Sequence, residues 1–190
     1  MKADLYNKIK QYHPWNEQEE KDQKLTLKYM DLFEDVLFRE NEIAHLTASS
    51  WIVNQDRTKV LMIYHNIYDS WAWTGGHADG DADLLKVALR EAQEETGIQT
   101  IKPINEDIYS LEILCVNGHV KKGKYVSSHL HLNITYLLEA DELESLRIKE
   151  DENSGVRWVD LKQAINLSSE IWMRGIYRKL NEKLGDKGED

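Results

Sequence analysis

Three glutamates, Glu91, Glu94 and Glu95, crowd the end of one stretch, GGHADGDADLLKVALREAQEETGI, at residues 75–98. If that stretch ends in a helix, Glu91 and Glu95 stack as i,i+4 neighbours on one flank, and Glu94 lies three positions from Glu91. Like charges at this spacing cost about 0.2–0.5 kcal/mol per pair. Carboxylates in a last helical turn also oppose the helix dipole, at about 0.3–1 kcal/mol each when exposed. Local helix stability therefore gives no reason for the cluster, whereas a bound divalent cation does. Hard carboxylate oxygens suit magnesium, which keeps several waters and bridges substrate phosphates. The competing reading is a solvated acidic flank. Against it stand the paired glycines Gly75 and Gly76, where backbone approaches something closely, and Arg90, which can orient a carboxylate through a two-pronged bond.

The elements that must position these residues can be read from periodicity and turn chemistry. A helix is expected over residues 84–96, with Asp83 as N-cap and Gly97 just past its end. Its face of Leu85, Ala88, Leu89, Ala92 and Thr96 should pack on a sheet. Strands are expected over residues 46–53 and 59–65, joined by a turn at 54–58, with a short strand flanked by Trp71 and Trp73 running into the glycines. Two more strands, 109–116 and 125–138, are joined by a loop holding Asn117-Gly118 and the lysines Lys121, Lys122 and Lys124. At the N-terminus, Leu5, Ile9 and Tyr12 mark a helix that Pro14 ends. A longer helix is expected over about residues 18–39, its apolar stripe being Met30, Phe33, Val36 and Leu37 after Leu25. Its polar first half should project from the body, meet another subunit or form a solvated face. Two helices close the chain, one starting near Asp160 and one near Ser168 with Trp172, Ile176, Leu180 and Leu184 on one face. The class is α/β or α+β, a mixed sheet with helices on its faces.

Gly76, then Arg90-Glu91-Ala92, then Glu94-Glu95-Thr96-Gly97-Ile98 resembles the signature of the Nudix hydrolases, G-x5-E-x7-R-E-U-x-E-E-x-G-U with U a bulky aliphatic residue. The resemblance covers about residues 45–165, including Trp71 and the Val156-Arg157-Trp158 strand. It implies a Nudix-type α/β/α sandwich over residues 43–190, with residues 1–42 as a helical extension. It also implies hydrolysis of a diphosphate linkage in a nucleoside diphosphate derivative or similar small phosphorylated metabolite. By the same resemblance, Glu91, Glu94 and Glu95 are ligands to magnesium or manganese, Arg90 orients them, and an acidic residue outside the signature, here Glu152, is the general base. Two positions depart from the pattern. The signature's first glutamate falls on Ala82, where Asp79, Asp81 or Asp83 could substitute, and Ala92 replaces a larger aliphatic residue. Ala82 predicts altered rather than absent activity.

Other residues carry weaker signals. His129, His131, Asn133 and Thr135 share one face of an alternating run, and could line a substrate cleft or an exposed sheet face. Zinc at His129 and His131 lacks a third ligand evident in sequence. Gly75, Gly76, His77, His129 and His131 are taken as the substrate-binding candidates. The three loop lysines could attract phosphate or simply be solvated. Tyr68, Trp71 and Trp73 could stack a base, though packing is the commoner role. Cys115 reads as a small buried hydrophobe.

A chain of 190 residues, 41% hydrophobic and 31% charged, suits one soluble domain that buries about 70% of its unfolded surface. The net charge of −10 argues against sequence-blind binding to nucleic acid or anionic membrane. A single cysteine excludes an intrachain disulfide, and no apolar run reaches bilayer length. The opening MKADLYNKIKQ reads as helix rather than secretion signal, so a cytoplasmic protein is expected; the N-terminal helices and the habit of the family it resembles make a homodimer the expectation. Two functions compete with the hydrolase. An isopentenyl-diphosphate-isomerase-like enzyme would need a cysteine before the signature region, and Cys115 follows it. A catalytically silent nucleotide-binding module would have no use for a repelling glutamate cluster.

Overall fold

The computed structural model describes residues 2–121 and 123–185, so Lys122 lies outside the described residues. Two helices, α1 (Lys2–Gln11) and α2 (Glu17–Leu32), precede the strands β1 (Ala44–Val53), β2 (Lys59–His65), β3 (Ser70–Ala72) and β4 (Thr74–His77). Helix α3 (Leu84–Thr96) leads into β5 (Lys102–Pro103), β6 (Ser110–Val116), β7 (His119–Lys121), β8 (Lys124–Val126), β9 (His129–Glu139) and β10 (Asn153–Asp160). Helices α4 (Leu161–Leu167) and α5 (Ile171–Gly185) follow. The main strands pair in the order β10-β2-β1-β9-β5, with β3 on β2, β4 on β1 and β6 on β9, while β7 and β8 form a separate hairpin. This is the expected class, a mixed sheet with helices. No helix among the described residues is long and apolar enough to cross a membrane.

The chain folds as two compact units. The first comprises Met1–Ser49, Gly75–Ala88 and Glu106–Tyr136; the second comprises Ser50–Thr74, Leu89–Asn105 and Leu137–Asp190. In the first, β6 pairs antiparallel with β9 from Ser110 opposite Thr135 to Val116 opposite His129. In the second, β10 pairs antiparallel with β2, from Val156 opposite Ile63 to Asp160 opposite Lys59. Asn54 makes the β1–β2 turn: its Oδ1 accepts the N–H groups of Thr58 and Lys59, both at 2.9 Å.

Three sequence expectations change. Helix α2 ends at Leu32 rather than near Arg39, because Phe33 turns extended. The apolar residues beyond it are used in a turn instead: Val36 O accepts Leu46 N–H at 2.8 Å, and Leu37 O accepts Gly80 N–H at 3.0 Å. Leu25, placed on the apolar stripe, is exposed. Second, the polar half of α2 keeps a solvated face of Glu17, Glu20, Lys21 and Lys24 but buries the opposite one. Glu19, Gln23, Thr26 and Met30, at helical spacing, are buried. Gln18 Nε2 donates to Leu111 O, and Asp22 accepts Ile113 N–H, so α2 is fastened to β6 by polar contacts. Glu19 accepts bonds from Tyr12, Trp15 N–H and Ser110. A hydropathy pattern misses a buried face whose Glu19 and Gln23 are satisfied by neighbouring groups, although Thr26 Oγ1 on the same face has no hydrogen-bond partner. Third, α5 buries Met173, Tyr177 and Leu180, while Trp172 is exposed, one position off the expected face. Tyr177 stacks on Trp51, with ring centroids 5.1 Å apart.

Candidate functional site

Helix α3 begins where Asp83 Oδ1 accepts Lys86 N–H at 3.2 Å, the N-cap bond its sequence calls for. It ends at Gly97, whose φ of 80° suits glycine and whose N–H bonds Gln93 O at 2.9 Å. The buried stripe is Leu84, Val87, Ala88, Ala92, Glu95 and Thr96 rather than the one centred on Leu85 and Leu89. Fully burying Leu84 and Val87 is worth about 1.5–3 kcal/mol each, enough to outweigh the glutamate repulsion. The three glutamates consequently have different surroundings. Glu95 is only 2% exposed. Its backbone O accepts a bond from buried Asn153 Nδ2 at 3.0 Å. Glu91 is half-buried and accepts two bonds from Arg90, from Nη2 at 3.0 Å and from Nε at 3.3 Å. Glu94 is exposed, and its Oε2 lies 3.0 Å from Lys149 Nζ.

Lys149 also reaches Glu152 Oε2 at 2.9 Å, so one ammonium joins the sequence-proposed general base to a sequence-proposed metal ligand. Its pKa is raised: hydrogen bonds and charge from Glu152 and Glu94 outweigh the opposing effect of burial. Sequence reasoning missed Lys149, although its i,i+3 spacing to Glu152 is a usable signal.

The alternating face of β9 is not an exposed sheet face. Asn133 and Thr135 are buried; Asn133 Oδ1 accepts bonds from Thr47 at 3.0 Å and Ser49 at 2.8 Å, and its Nδ2 donates to Glu112 at 3.2 Å. The expectation that His129 and His131 have no further partner of metal-binding type is overturned. His45 of β1 and His77 of β4 join them, and one ring nitrogen from each of the four lies within 4.8 Å of the others. His45 was missed because its partners are remote in sequence. The polar alternation of His45, Thr47 and Ser49 along β1, matching that of β9, is the signal that could have found it. Burial lowers the pKa of His77 to about 3 and of His131 to about 2, and also lowers that of His45. These three imidazoles are neutral at neutral pH.

Gly75 is glycine for packing: a Cβ there would meet Ser49 Oγ at 2.5 Å and Ala48 O at 2.7 Å. Gly76 lies beside it on β4. The aspartates suggested as replacements for the missing glutamate at 82 are engaged locally. Asp79 pairs with Arg39, Asp81 with Lys86 at 3.1 Å, and Asp83 caps α3. Trp71 lies under the Arg157 guanidinium, 4.2 Å from its ring centroid, and Trp73 is buried against Tyr177. Tyr68 stacks on His65. Cys115, expected to be buried, is exposed, next to the last residue of β6, where burial falls away along the strand from Ser110, Leu111 and Glu112.

Comparison with known proteins adds the following. The family model for the NUDIX domain matches residues 44–180. An RNA pyrophosphohydrolase of Pelagibacter ubique (strain HTCC1062) is 28% identical over 137 residues, 70% of this chain and 86% of that protein. The asymmetrical bis(5'-nucleosyl)-tetraphosphatase of Rattus norvegicus is 27% identical over 99 residues, 52% of this chain and 60% of that protein. Among solved structures, a C. elegans Ap4A hydrolase in a binary complex superposes with a TM-score of 0.54 at 22% identity, covering 74% of this chain and 97% of that one. At this identity the superposition shows a shared fold.

Proposed function

Because the chain belongs to the NUDIX domain family, we propose that it is a pyrophosphohydrolase, adding water across a phosphoanhydride of a nucleoside diphosphate derivative or similar small phosphorylated metabolite. The observation that supports this reading is the carboxylate cluster on α3, with Glu152 tied to Glu94 through Lys149. Of the two relatives, one is named a pyrophosphohydrolase of RNA and the other a tetraphosphatase of bis(5'-nucleosyl) compounds. We take that chemistry as the substrate class, and the net charge of −10 favours a small compound over a long nucleic acid. Residues 43–190 form the hydrolase domain in this reading and residues 1–42 its helical extension. A cytoplasmic homodimer completes it.

The donor types suit a hard cation, being carboxylate oxygens without nitrogen or sulfur, and one ammonium stands against Glu94 and Glu152; among the described residues these carboxylates are not drawn together as the four imidazoles are, so a bound cation would have to gather them. Glu91, Glu94 and Glu95 would hold magnesium or manganese, which supplies a water of lowered pKa and neutralises charge on the leaving phosphate. Arg90 holds the Glu91 carboxylate in place through its two bonds. Glu152 takes the proton of the attacking water, and Lys149, 2.9 Å from its Oε2, holds that carboxylate in place. The backbone of Gly75 and Gly76 is assigned to substrate contact.

The test is a panel of nucleotide sugars, ADP-ribose, dinucleotides and nucleoside triphosphates with Mg2+, read as phosphate released after phosphatase coupling. Turnover of one compound, lost in Glu94→Gln, is the expected result. A second reading, a silent nucleotide-binding module, is favoured by Ala82 and by the self-contained Lys149 pairing. It predicts no turnover of any compound together with ligand-dependent thermal stabilisation.

A further inference from the structure

We propose that His45, His77, His129 and His131 form a four-imidazole site for a borderline transition-metal dication, with zinc as the expected occupant. The site draws on β1, β4 and β9 of the first unit, and none of its residues belongs to the glutamate cluster.

The first support is distance. The candidate donor atoms lie within 4.8 Å of one another, and Nε2 of His129 is 3.1 Å from Nε2 of His131. Four nitrogens at the usual zinc distance in a tetrahedron are separated by about 3.3 Å. One pair is already at that spacing, and the remaining contraction is within the reach of side-chain torsions. The rings crowd together accordingly. His45 has its centroid 5.0 Å from His77, 5.0 Å from His129 and 5.1 Å from His131, and His131 lies 5.0 Å from both His77 and His129.

The second support is orientation. His45 Nδ1 lies 2.9 Å from Asn41 O, and His129 Nδ1 lies 2.8 Å from Ser127 O. A carbonyl only accepts, so each Nδ1 carries the proton and each Nε2 presents its lone pair. Backbone carbonyls fix metal-ligating histidines in this way. For His45 the lone pair has no partner: its Nε2 is buried and without a hydrogen bond. A hydrogen bond between His129 and His131 would satisfy two of the four rings and leave this buried acceptor unexplained, since such groups are normally satisfied. A metal accounts for all four rings.

The third support is charge and chemistry. Neutral imidazoles, with no carboxylate or thiolate among them, select zinc, copper, nickel or cobalt over magnesium and calcium. Of the cations that act on His77, Arg39 is paired with Asp79, and Lys121 is the other. Four protein ligands leave no open position, which is the pattern of a structural site. Bound metal would clamp β4 and β9 to β1, and His77, His129 and His131 would then be ligands instead of substrate contacts.

The full chain, stripped with chelator and dialysed, would be titrated with Zn2+ by calorimetry and with Co2+ by visible absorption. The expected result is one zinc per chain, an intense tetrahedral cobalt spectrum, and zinc affinity about tenfold or more weaker in both His131→Ala and His129→Ala. His129 is half-buried and at a strand end, so its variant keeps the test open if His131→Ala fails to fold. Glu94→Gln should bind zinc as wild type does. Zinc affinity unchanged in both histidine variants, an octahedral cobalt spectrum, or no zinc uptake by the wild type would each overturn the proposal.

Discussion

Helix α3 brings its three carboxylates from residues 91–95 of one continuous helix, whereas the four imidazoles come from three strands spread from residue 45 to residue 131. The carboxylates grade from buried Glu95 to exposed Glu94 and carry charge that Arg90 and Lys149 partly offset. The imidazole rings crowd together, and backbone carbonyls orient two of them, His45 and His129. An open, charged oxygen set suits a cation that must share its coordination with waters and phosphates. A closed nitrogen set suits a cation that stays and holds strands together. On the readings proposed above, the first set serves turnover and the second serves fixation.

The sharpest way to break this contrast is to remove the proton acceptor on the carboxylate side. Glu152→Gln should lower kcat by about 10²–10⁴-fold, the usual contribution of a general base, with KM little changed and zinc content unaltered. Activity within tenfold of wild type would place the base elsewhere.

Acid should act first on the histidine side. Burial holds His77 near 3 and His131 near 2, against an ordinary value of 6.5. Below pH 6.5 the unfolded chain therefore binds protons that the metal-free folded chain refuses. Stability present above that pH is lost progressively as pH falls toward 3. Denaturant midpoints of chelator-treated protein at pH 7.5, 6 and 5 should decline in that order, and the decline should shrink in His131→Ala. A flat profile would mean that these rings take up protons without unfolding the strands around them.

Gly75→Ala tests the backbone that carries His77. The added methyl would strike Ser49 Oγ and Ala48 O of β1, and overpacking of this kind costs about 1–3 kcal/mol. Because β4 must shift, zinc affinity should fall along with the melting temperature. A stable variant with unaltered zinc binding would show that β4 can move without moving His77.

The carboxylate side was legible in the sequence because its information is local: Glu91, Glu94 and Glu95 are neighbours through helix geometry alone, and the bounds of α3 follow from Asp83 and Gly97. Strand β2 was legible for the same reason, lying between the Asn54 turn and its own apolar run. The histidine cluster was not, since which strands lie beside β1 is decided by long-range pairing that periodicity leaves open. The buried face of α2 was hidden differently. Its Glu19, Gln23 and Thr26 look solvent-bound until Tyr12, Trp15 and Ser110 are known to satisfy Glu19 and the Ile9 and Tyr12 carbonyls to satisfy Gln23.

Lys149 gives the smallest expected effect and the finest probe of the carboxylate side. Its ammonium binds Glu94 and Glu152 together, at 3.0 and 2.9 Å, on a partly exposed surface. Ion pairs of that kind are worth about 0.2–1 kcal/mol each. Lys149→Met therefore leaves the fold nearly as stable but removes the cation that Mg2+ must work against at Glu94. The Mg2+ concentration for half-maximal activity should fall by about two- to fivefold, the range such a pair energy permits. An increase in the Mg2+ requirement would give Lys149 the opposite role, that of orienting Glu94 for the metal. An unchanged requirement would detach the ammonium from the chemistry and leave it as a surface tie between α3 and the turn before β10.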